Sequence, residues 1–120
     1  MNEARAVLKL RKKLEAFGTV YKISDRYRAG IPDLVCCLEG LFVGIECKID
    51  YNTPTDLQIE ELENIDKTKG LSLVYTYKQK TKKHVVTHFT HTDYVLETIE
   101  EVVQCILTLT RSLIRRNASR

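Results

Sequence analysis

The chain reads GIPDLVCCLEGLFVGIECK from Gly30 to Lys48. Two apolar runs, residues 34–38 and 41–48, flank a Glu-Gly pair, and a two-residue loop that contains glycine is typical of a β-hairpin. If this pair is the loop, counting back along both strands places Asp33 directly opposite Glu46. Cross-strand partners share one face of a sheet, with Cβ atoms about 4.5–5.5 Å apart. The sequence therefore predicts two carboxylates side by side where the hairpin opens.

Lys48 follows Glu46 by two positions, so on a strand both side chains point to the same face. Paired carboxylates beside a lysine suit the binding of a divalent cation against a phosphodiester, and Mg²⁺, with oxygen ligands at about 2.0–2.1 Å, fits between two such groups. A register slip of one residue would place the two acids on opposite faces. We therefore expect a nuclease that uses water activated on Mg²⁺ or Mn²⁺, while Lys48 orients the water or stabilises developing charge.

Length and composition indicate one domain, residues 1–120, because 120 residues with 43% hydrophobic side chains suffice for a single core. No apolar run reaches about 18 residues, so we expect no membrane span. The chain starts in a charged helical pattern without the features of a signal peptide, and its four cysteines form no Cys-x-x-Cys pair. Reduced thiols in a cytoplasmic protein are the expectation.

The periodicity of the flanking segments predicts the remaining elements. Helical patterns occupy residues 3–17, 55–69 and 92–116, whereas β-prone or alternating runs occupy residues 19–24, 71–77 and 84–89. The order αβββαβ, then β and α, predicts an α/β fold with helices on both faces of a mixed β-sheet and an extra long C-terminal helix. The last of the β runs is expected to be a short edge strand.

Glu3 is a candidate metal ligand on the first helix. At 100° per residue it projects into the middle of the apolar stripe that contains Val7, Leu10 and Leu14, so it presents a carboxylate to the surface that this stripe covers. The alternative is that Glu3 only interacts favourably with the dipole at the helix N-terminus.

The charges of the chain are segregated. The net charge is only +3, but basic residues cluster in residues 9–13, 26–28, 78–83 and 111–120. Such clusters can contact phosphates, and they can equally be solvated surface. From the first two clusters we expect DNA contacts by Lys9, Lys12, Arg26 and Arg28.

The predicted C-terminal helix also bears on assembly. Its roughly 25 residues would span about 37 Å, more than a domain of this size needs to cover its own sheet. Its apolar residues, from Val95 to Ile114, occupy more than one stripe. A homodimer is the commonest way to cover such a surface. Two sites related by a two-fold axis would also suit paired incisions across a four-way junction.

Three features together resemble the virus-type replication-repair nuclease (VRR-NUC) domain of the PD-(D/E)XK nuclease superfamily. They are GIPD ending at Asp33, FVGIECK ending at Lys48, and Pro54-Thr55-x-x-Gln58. The similarity covers about residues 3–78, and the order of elements agrees throughout. It implies a cation-dependent nuclease that usually acts on DNA. Stand-alone copies of this size, common in phages, resemble Holliday-junction resolvases and tend to be homodimers.

The resemblance also implies roles for individual residues. Asp33 and Glu46 match the metal-binding acids, and Lys48 matches the catalytic lysine. Cys47 would lend its backbone carbonyl to the cation, and Gln58 matches a helix glutamine that faces the site.

One position departs from the family pattern. Related resolvases often carry the glutamate of the first helix one turn later, where this chain has Val7. Glu3 lies four residues earlier on the same face and would replace it.

Three other interpretations remain open from the sequence. The fold could act only as a DNA-binding or protein-binding module, although the acids and the lysine that such a module could lose are all present. The Glu46–Lys48 pair could be an ordinary surface ion pair beside a turn aspartate. A zinc site could use His84, His88 and His91, although no cysteine lies at ligand spacing from them.

Overall fold

The structure is a computed structural model that describes residues 1–24, 28–88 and 92–119. Within these ranges the chain forms three helices and six strands in the order α1, β1, β2, β3, α2, β4, β5, β6, α3. The helices are α1 (Glu3–Leu14), α2 (Asp56–Lys67) and α3 (Ile99–Ala118), and the strands are β1 (Gly18–Lys22), β2 (Leu34–Leu38), β3 (Leu41–Ile49), β4 (Leu71–Lys78), β5 (Lys83–His88) and β6 (Thr92–Leu96).

The six strands form one mixed sheet in sequence order, β1 to β6. All neighbours pair antiparallel except β3 and β4, which run parallel. A parallel pair needs a long crossover connection, and α2 supplies it. The predicted α/β class, mixed sheet and long C-terminal helix are therefore confirmed.

The β2–β3 hairpin has the register that the Glu39-Gly40 loop predicts. Leu38 pairs with Leu41 at the loop, and Leu34 pairs with Ile45 at the open end. Glu39 and Gly40 both have positive φ, 52° and 84°. Positive φ at both central residues is the requirement of a type I′ turn, whose twist matches the flanking strands. This local geometry fixes which residues of β3 point to each side of the sheet.

The sheet has two faces of different character. The closed face carries Leu34, Ile45, Leu73 and Val86 and lies under α1 and α3, whose apolar residues join it in one buried core. The open face carries Gly44, Glu46 and Lys48, and α2 is the described helix that packs on it, over β3 and β4. Helices therefore lie on both faces, as predicted, and the candidate acids lie on the face with less cover.

Residues 92–96 correct the prediction of a helix over 92–116. They form strand β6, which pairs antiparallel with β5, so β5 is an inner strand rather than an edge. The helix begins only after Thr98, whose hydroxyl accepts a hydrogen bond from the Glu101 N–H at 3.1 Å. A threonine followed three residues later by glutamate is a recognised helix start, so the sequence carries a signal for a helix that begins at residue 99.

The first helix is also shorter than predicted, because α1 ends at Leu14 and Gly18 already belongs to β1. α3 has 20 residues, which corresponds to about 30 Å. Its residues Val102, Ile106 and Leu113 are buried within this chain. Most of the apolar surface of α3, from which a homodimer is predicted, is therefore buried in the core of this chain. In the part of the chain that the structure describes, no helix is long and apolar enough to cross a membrane.

Candidate active site

Asp33 and Glu46 meet at the open end of the hairpin. The register of β2 and β3, continued by one residue beyond Leu34, places them opposite each other. The Asp33 carbonyl accepts a hydrogen bond from Ile23 N–H at 2.9 Å, so its backbone faces β1. Its side chain turns to β3, where Oδ2 accepts the Cys47 N–H at 2.8 Å. The side-by-side carboxylates predicted from the loop are thus brought together.

Glu46 is the more buried acid of the pair. Only 2% of the residue is exposed, and its Oε2 atom is buried without a hydrogen-bond partner. The pKa of Glu46 is raised to about 9, chiefly by burial and further by the neighbouring Asp33 carboxylate, while the charge of Lys48 opposes the rise. An unpartnered buried carboxylate oxygen is costly. The arrangement is therefore one that gains from a positive charge placed between the two acids.

Gln58 connects this acid to α2. Its amide nitrogen donates to Glu46 Oε1 at 3.2 Å, while its amide oxygen accepts the Thr55 N–H at 2.9 Å. The Thr55 hydroxyl accepts the Gln58 N–H in return, which completes a capping box at the start of α2. Gln58 therefore lies beside Glu46, and the cap explains why its amide is fixed in one orientation.

The Cys47 backbone points toward the acids although its thiol does not. Its side chain is fully buried on the closed face, whereas its N–H is bound to Asp33. The N–H and C=O of one strand residue face the same neighbour. The Cys47 carbonyl therefore points to the same side of β3 as the Asp33 carboxylate, which makes it a candidate oxygen ligand.

Two glycines allow α2 to pack closely on the hairpin and on the segment before it. Gly30 has a φ of 90°, and a Cβ there would lie 2.5 Å from the Leu57 carbonyl oxygen. A Cβ on Gly44 would lie 2.5 Å from the Ile65 side chain. Side chains at these positions would push α2 away from Glu46. The glycine of the GIPD motif thus has a packing reason as well as a turn reason.

Glu3 and Lys48 lie around the central pair. Both Glu3 and Asp33 contribute charge that raises the pKa of the Glu46 carboxyl and of the Cys47 thiol, after burial as the main cause. Val7, one turn further along α1, is buried, so the face of α1 that carries Glu3 points to the sheet. Lys48 is half-buried and lowers the pKa of Glu46. Glu3 and Lys48 are thus near enough for their charges to act on Glu46, although α1 packs on the closed face and the Glu46 carboxyl lies on the open face.

The residues present fit a divalent cation. Within the described ranges, no group of three His, Cys, Asp or Glu side chains is placed to hold a metal by itself. Mg²⁺ nevertheless commonly takes only one or two protein carboxylates and completes its shell with water and substrate phosphate. Asp33, the orphan Glu46 oxygen and the Cys47 carbonyl are hard oxygen donors of that type. The site suits such an ion and offers nothing that would select zinc.

The predicted DNA-contacting residues are scattered. Lys9 and Lys12 are exposed and line one shallow groove with Arg5 on α1. Arg28 instead donates to Glu61 on α2, with Nε and Nη2 at 3.0 and 2.5 Å from Oε1. Arg26 lies outside the described residues.

The histidines are placed in the core rather than at the acids. His84 and His88 are buried on β5. His84 Nδ1 lies 2.7 Å from the Tyr75 hydroxyl, and burial lowers the pKa of this histidine. His91 falls outside the described residues. His84 is thus hydrogen-bonded to Tyr75 in the core.

Comparison with known proteins gives two informative likenesses. No family model matches the sequence, and no curated protein matches it. A solved VRR_NUC domain is similar, with a TM-score of 0.55 and 33% identity, over 66% of this chain and 87% of that one. Hjc, a Holliday junction resolvase from the archaeal hyperthermophile Archaeoglobus fulgidus, has a TM-score of 0.56 at 13% identity, over 78% of this chain and 82% of that one.

The two likenesses differ in weight. The likeness to Hjc concerns the fold alone, because its sequence identity is so low. The likeness to the VRR_NUC domain extends to sequence across most of that domain. It agrees with the GIPD, ECK and glutamine features that meet at one place in this structure. The chain therefore belongs to the VRR-NUC family and has the α/β fold of PD-(D/E)XK nucleases.

Proposed function

We propose that residues 1–120 act as one divalent-metal-dependent endonuclease domain that hydrolyses DNA phosphodiester bonds. The observation that carries this proposal is the Asp33–Glu46 pair, with a buried Glu46 oxygen that lacks a partner and a pKa raised to about 9. The likeness to the VRR_NUC domain supports this proposal. Without a cation the two carboxylates would repel each other and one would have to stay protonated, whereas a bound cation lets both ionise.

The residues divide the work of the reaction as follows. Asp33 and Glu46 would hold Mg²⁺ or Mn²⁺ with the Cys47 carbonyl, and Glu3 would add a carboxylate from α1. When bound, the ion lowers the pKa of a water and offsets charge on the phosphate oxygens. Lys48 orients the attacking water or donates to the developing charge. Gln58 keeps the Glu46 carboxylate in place through its amide N–H.

The direct test is an incision assay with the purified chain in Mg²⁺, Mn²⁺ or EDTA. Its substrates are single-stranded, duplex, flap and four-way DNA, with RNA as a further arm. We expect incision only with a metal ion. Binding of Mn²⁺, followed by the loss of its free electron paramagnetic signal, should saturate at the same concentrations. Metal binding without incision of any substrate would contradict the proposal and favour the alternative, a nuclease-like fold that only binds DNA or protein.

Glu3 has its own test. Glu3→Ala should weaken activity and raise the metal concentration needed for half-maximal incision. An unchanged metal titration would show that Glu3 acts only on the dipole of α1.

We further propose that the enzyme prefers branched or four-way DNA and acts as a homodimer in the cytoplasm. The likeness of the fold to Hjc supports the first part. For the second, an apolar groove remains between β6 and α3, lined by Leu96, Cys105 and Leu109. Paired incisions across a symmetric junction also call for two sites related by a two-fold axis.

Sedimentation equilibrium tests the assembly. A mass near twice 13.9 kDa at micromolar concentration is expected. Leu109→Glu should give monomers, whereas a charge at Leu113 is not a useful test because that side chain is buried in the monomer core. A wild-type mass near 13.9 kDa would refute the dimer.

A further inference from the structure

Tyr51 is an aromatic side chain with almost no contact to the rest of the molecule. It lies on the loop between β3 and α2 and is 93% exposed. Tyr21, the next most exposed tyrosine of the described residues, is 61% exposed. An isolated exposed aromatic is ordinary on a protein surface, so its surroundings decide whether it has a role.

The backbone on both sides of Tyr51 is held firmly. Asp50 has a φ of 56°, its N–H donates to the Tyr77 carbonyl at 2.9 Å, and Lys78 Nζ donates to its carbonyl at 2.6 Å. The Asp50 carboxylate accepts both the N–H and the side-chain amide of Gln79 at 2.9 and 2.8 Å. Asn52 N–H donates to the Ile49 carbonyl. The ring is thus presented to solvent by an ordered turn, which lowers the entropy that binding would cost.

The surroundings of the ring are basic. Lys78 Nζ lies 4.9 Å from the centroid of the Tyr51 ring. A groove of about 770 Å³ begins at this tyrosine and runs along the β4–β5 turn, lined by Lys78, Lys80, Lys83, Val85 and Val95. Lys83 pairs with Glu97, whereas Lys80 is exposed and makes no ion pair in the described chain. The groove combines an aromatic platform, aliphatic side chains and positive charge, which is the composition of surfaces that bind unstacked nucleotides.

The groove and the candidate active site lie on the same face of the sheet. Lys48 pairs with Thr76 on β4, Thr76 with Val85 on β5, and Val85 with Val95 on β6. Lys48 and the floor of the groove therefore share one row of the open face. With strands about 4.8 Å apart, Val85 lies roughly 10 Å from Lys48.

We propose that Tyr51 and this groove form a stacking subsite for an unpaired base of the DNA strand that is cut at Asp33 and Glu46. The inference rests on the proposed nuclease function and specifies what the enzyme recognises. A continuous duplex keeps its bases stacked inside, so only phosphate contacts with the lysines remain available. A strand that leaves a duplex at a branch or flap exposes a base face, which the ring can cover while the lysines contact the flanking phosphates.

The test compares Tyr51→Ala with wild type on two DNAs of equal length, a flap and a fully paired duplex. Binding is measured by fluorescence anisotropy in Ca²⁺, with 2-aminopurine at the first unpaired position of the flap. We expect Tyr51→Ala to weaken flap binding about tenfold, the scale of one lost base stack, and duplex binding less than twofold. Fluorescence quenching of 2-aminopurine should occur with wild type and Tyr51→Phe and disappear with Tyr51→Ala. Tyr21→Ala, a tyrosine on the far side of the same sheet face, is the matched control and should behave as wild type.

The results distinguish a failure of the stacking subsite from a failure of the proposed nuclease activity. If wild type cuts DNA but Tyr51→Ala keeps the wild-type ratio of flap to duplex binding, the stacking subsite is refuted and the nuclease stands. If wild type quenches 2-aminopurine but cuts no DNA in Mg²⁺ or Mn²⁺, the nuclease is refuted and the subsite stands. If wild type neither binds nor cuts DNA, both are refuted.

Discussion

The two faces of the sheet show how differently one strand can be used. On the closed face, Val43, Ile45 and Cys47 of β3 are fully buried beneath α1 and α3. On the open face of the same strand, Glu46 is buried without full hydrogen bonding, and Lys48 is half-buried. Burial of the three closed-face side chains stabilises the fold, whereas burial of the Glu46 carboxyl without full hydrogen bonding costs free energy. Stability and chemistry are thus separated by the alternation of side chains along one strand.

The largest effects should come from the open face and concern activity. Asp33→Ala, Glu46→Ala and Lys48→Ala should each reduce incision by about 10²–10³-fold or more, because each removes a charge next to the scissile phosphate. Circular dichroism should show an intact fold. Asp66→Ala on α2 is the control and should retain activity. Full incision by a folded Glu46→Ala protein would end the catalytic assignment.

The next effect contrasts equal side chains in unequal surroundings. Val43 is fully buried on the closed face, whereas Val95 is 66% exposed on the open face. Val43→Ala should lower the free energy of unfolding by about 2–3 kcal/mol through lost burial and a cavity. Val95→Ala should change it by less than about 0.5 kcal/mol. Urea unfolding measures both, and equal costs would contradict the division of the sheet into a closed and an open face.

A smaller effect joins stability to function at Glu46. Its pKa in the folded chain is raised from 4.5 to about 9. Stability that depends on the neutral acid is therefore fully present below pH 4.5 and is lost as the pH rises toward 9. Glu46→Gln, which cannot ionise, should stabilise the metal-free protein by about 1–2 kcal/mol at pH 8 and by nothing at pH 4.

Thermal unfolding across this pH range makes the comparison, with Mg²⁺ as the second variable. Added Mg²⁺ should stabilise wild type and leave Glu46→Gln unchanged, because a ligand stabilises only the state that binds it. A variant that is no more stable than wild type at pH 8 would show that the buried acid costs nothing in the metal-free chain.

The smallest effects concern the basic surface. Each lysine that neutralises a phosphate contributes about 0.9 to the slope of log K against log salt. Lys9→Ala and Lys12→Ala should each lower that slope for duplex binding by up to about 1. Arg28→Ala should lower it less, because Glu61 already pairs with that guanidinium. Anisotropy titrations between low and physiological salt measure the slopes, and binding without salt dependence would contradict the role of these lysines.

Much of the site could be predicted because its central feature is local. The Glu39-Gly40 loop fixes the register of the hairpin, and the register places Asp33 against Glu46. The resemblance to VRR-NUC domains points to Gln58, and the Thr55-x-x-Gln58 pattern is that of a capping box. The strand at residues 92–96 is not predictable by periodicity, because its apolar residues also fit helical spacing. Its conformation depends on the partner strand β5, which periodicity does not reveal.

The sequence by itself determined the order of elements as far as β5, the turn, and the face of β3 to which each acid points. These follow from steric limits on φ and from the two-residue period of a strand, which act between near neighbours. Only the tertiary structure decided that α2 closes over Glu46, that Gly30 touches Leu57, and that Tyr51 stands beside the β4–β5 turn. Burial and the pKa of Glu46 depend on those distant contacts, because desolvation is a property of everything packed around a charge rather than of the chain that carries it.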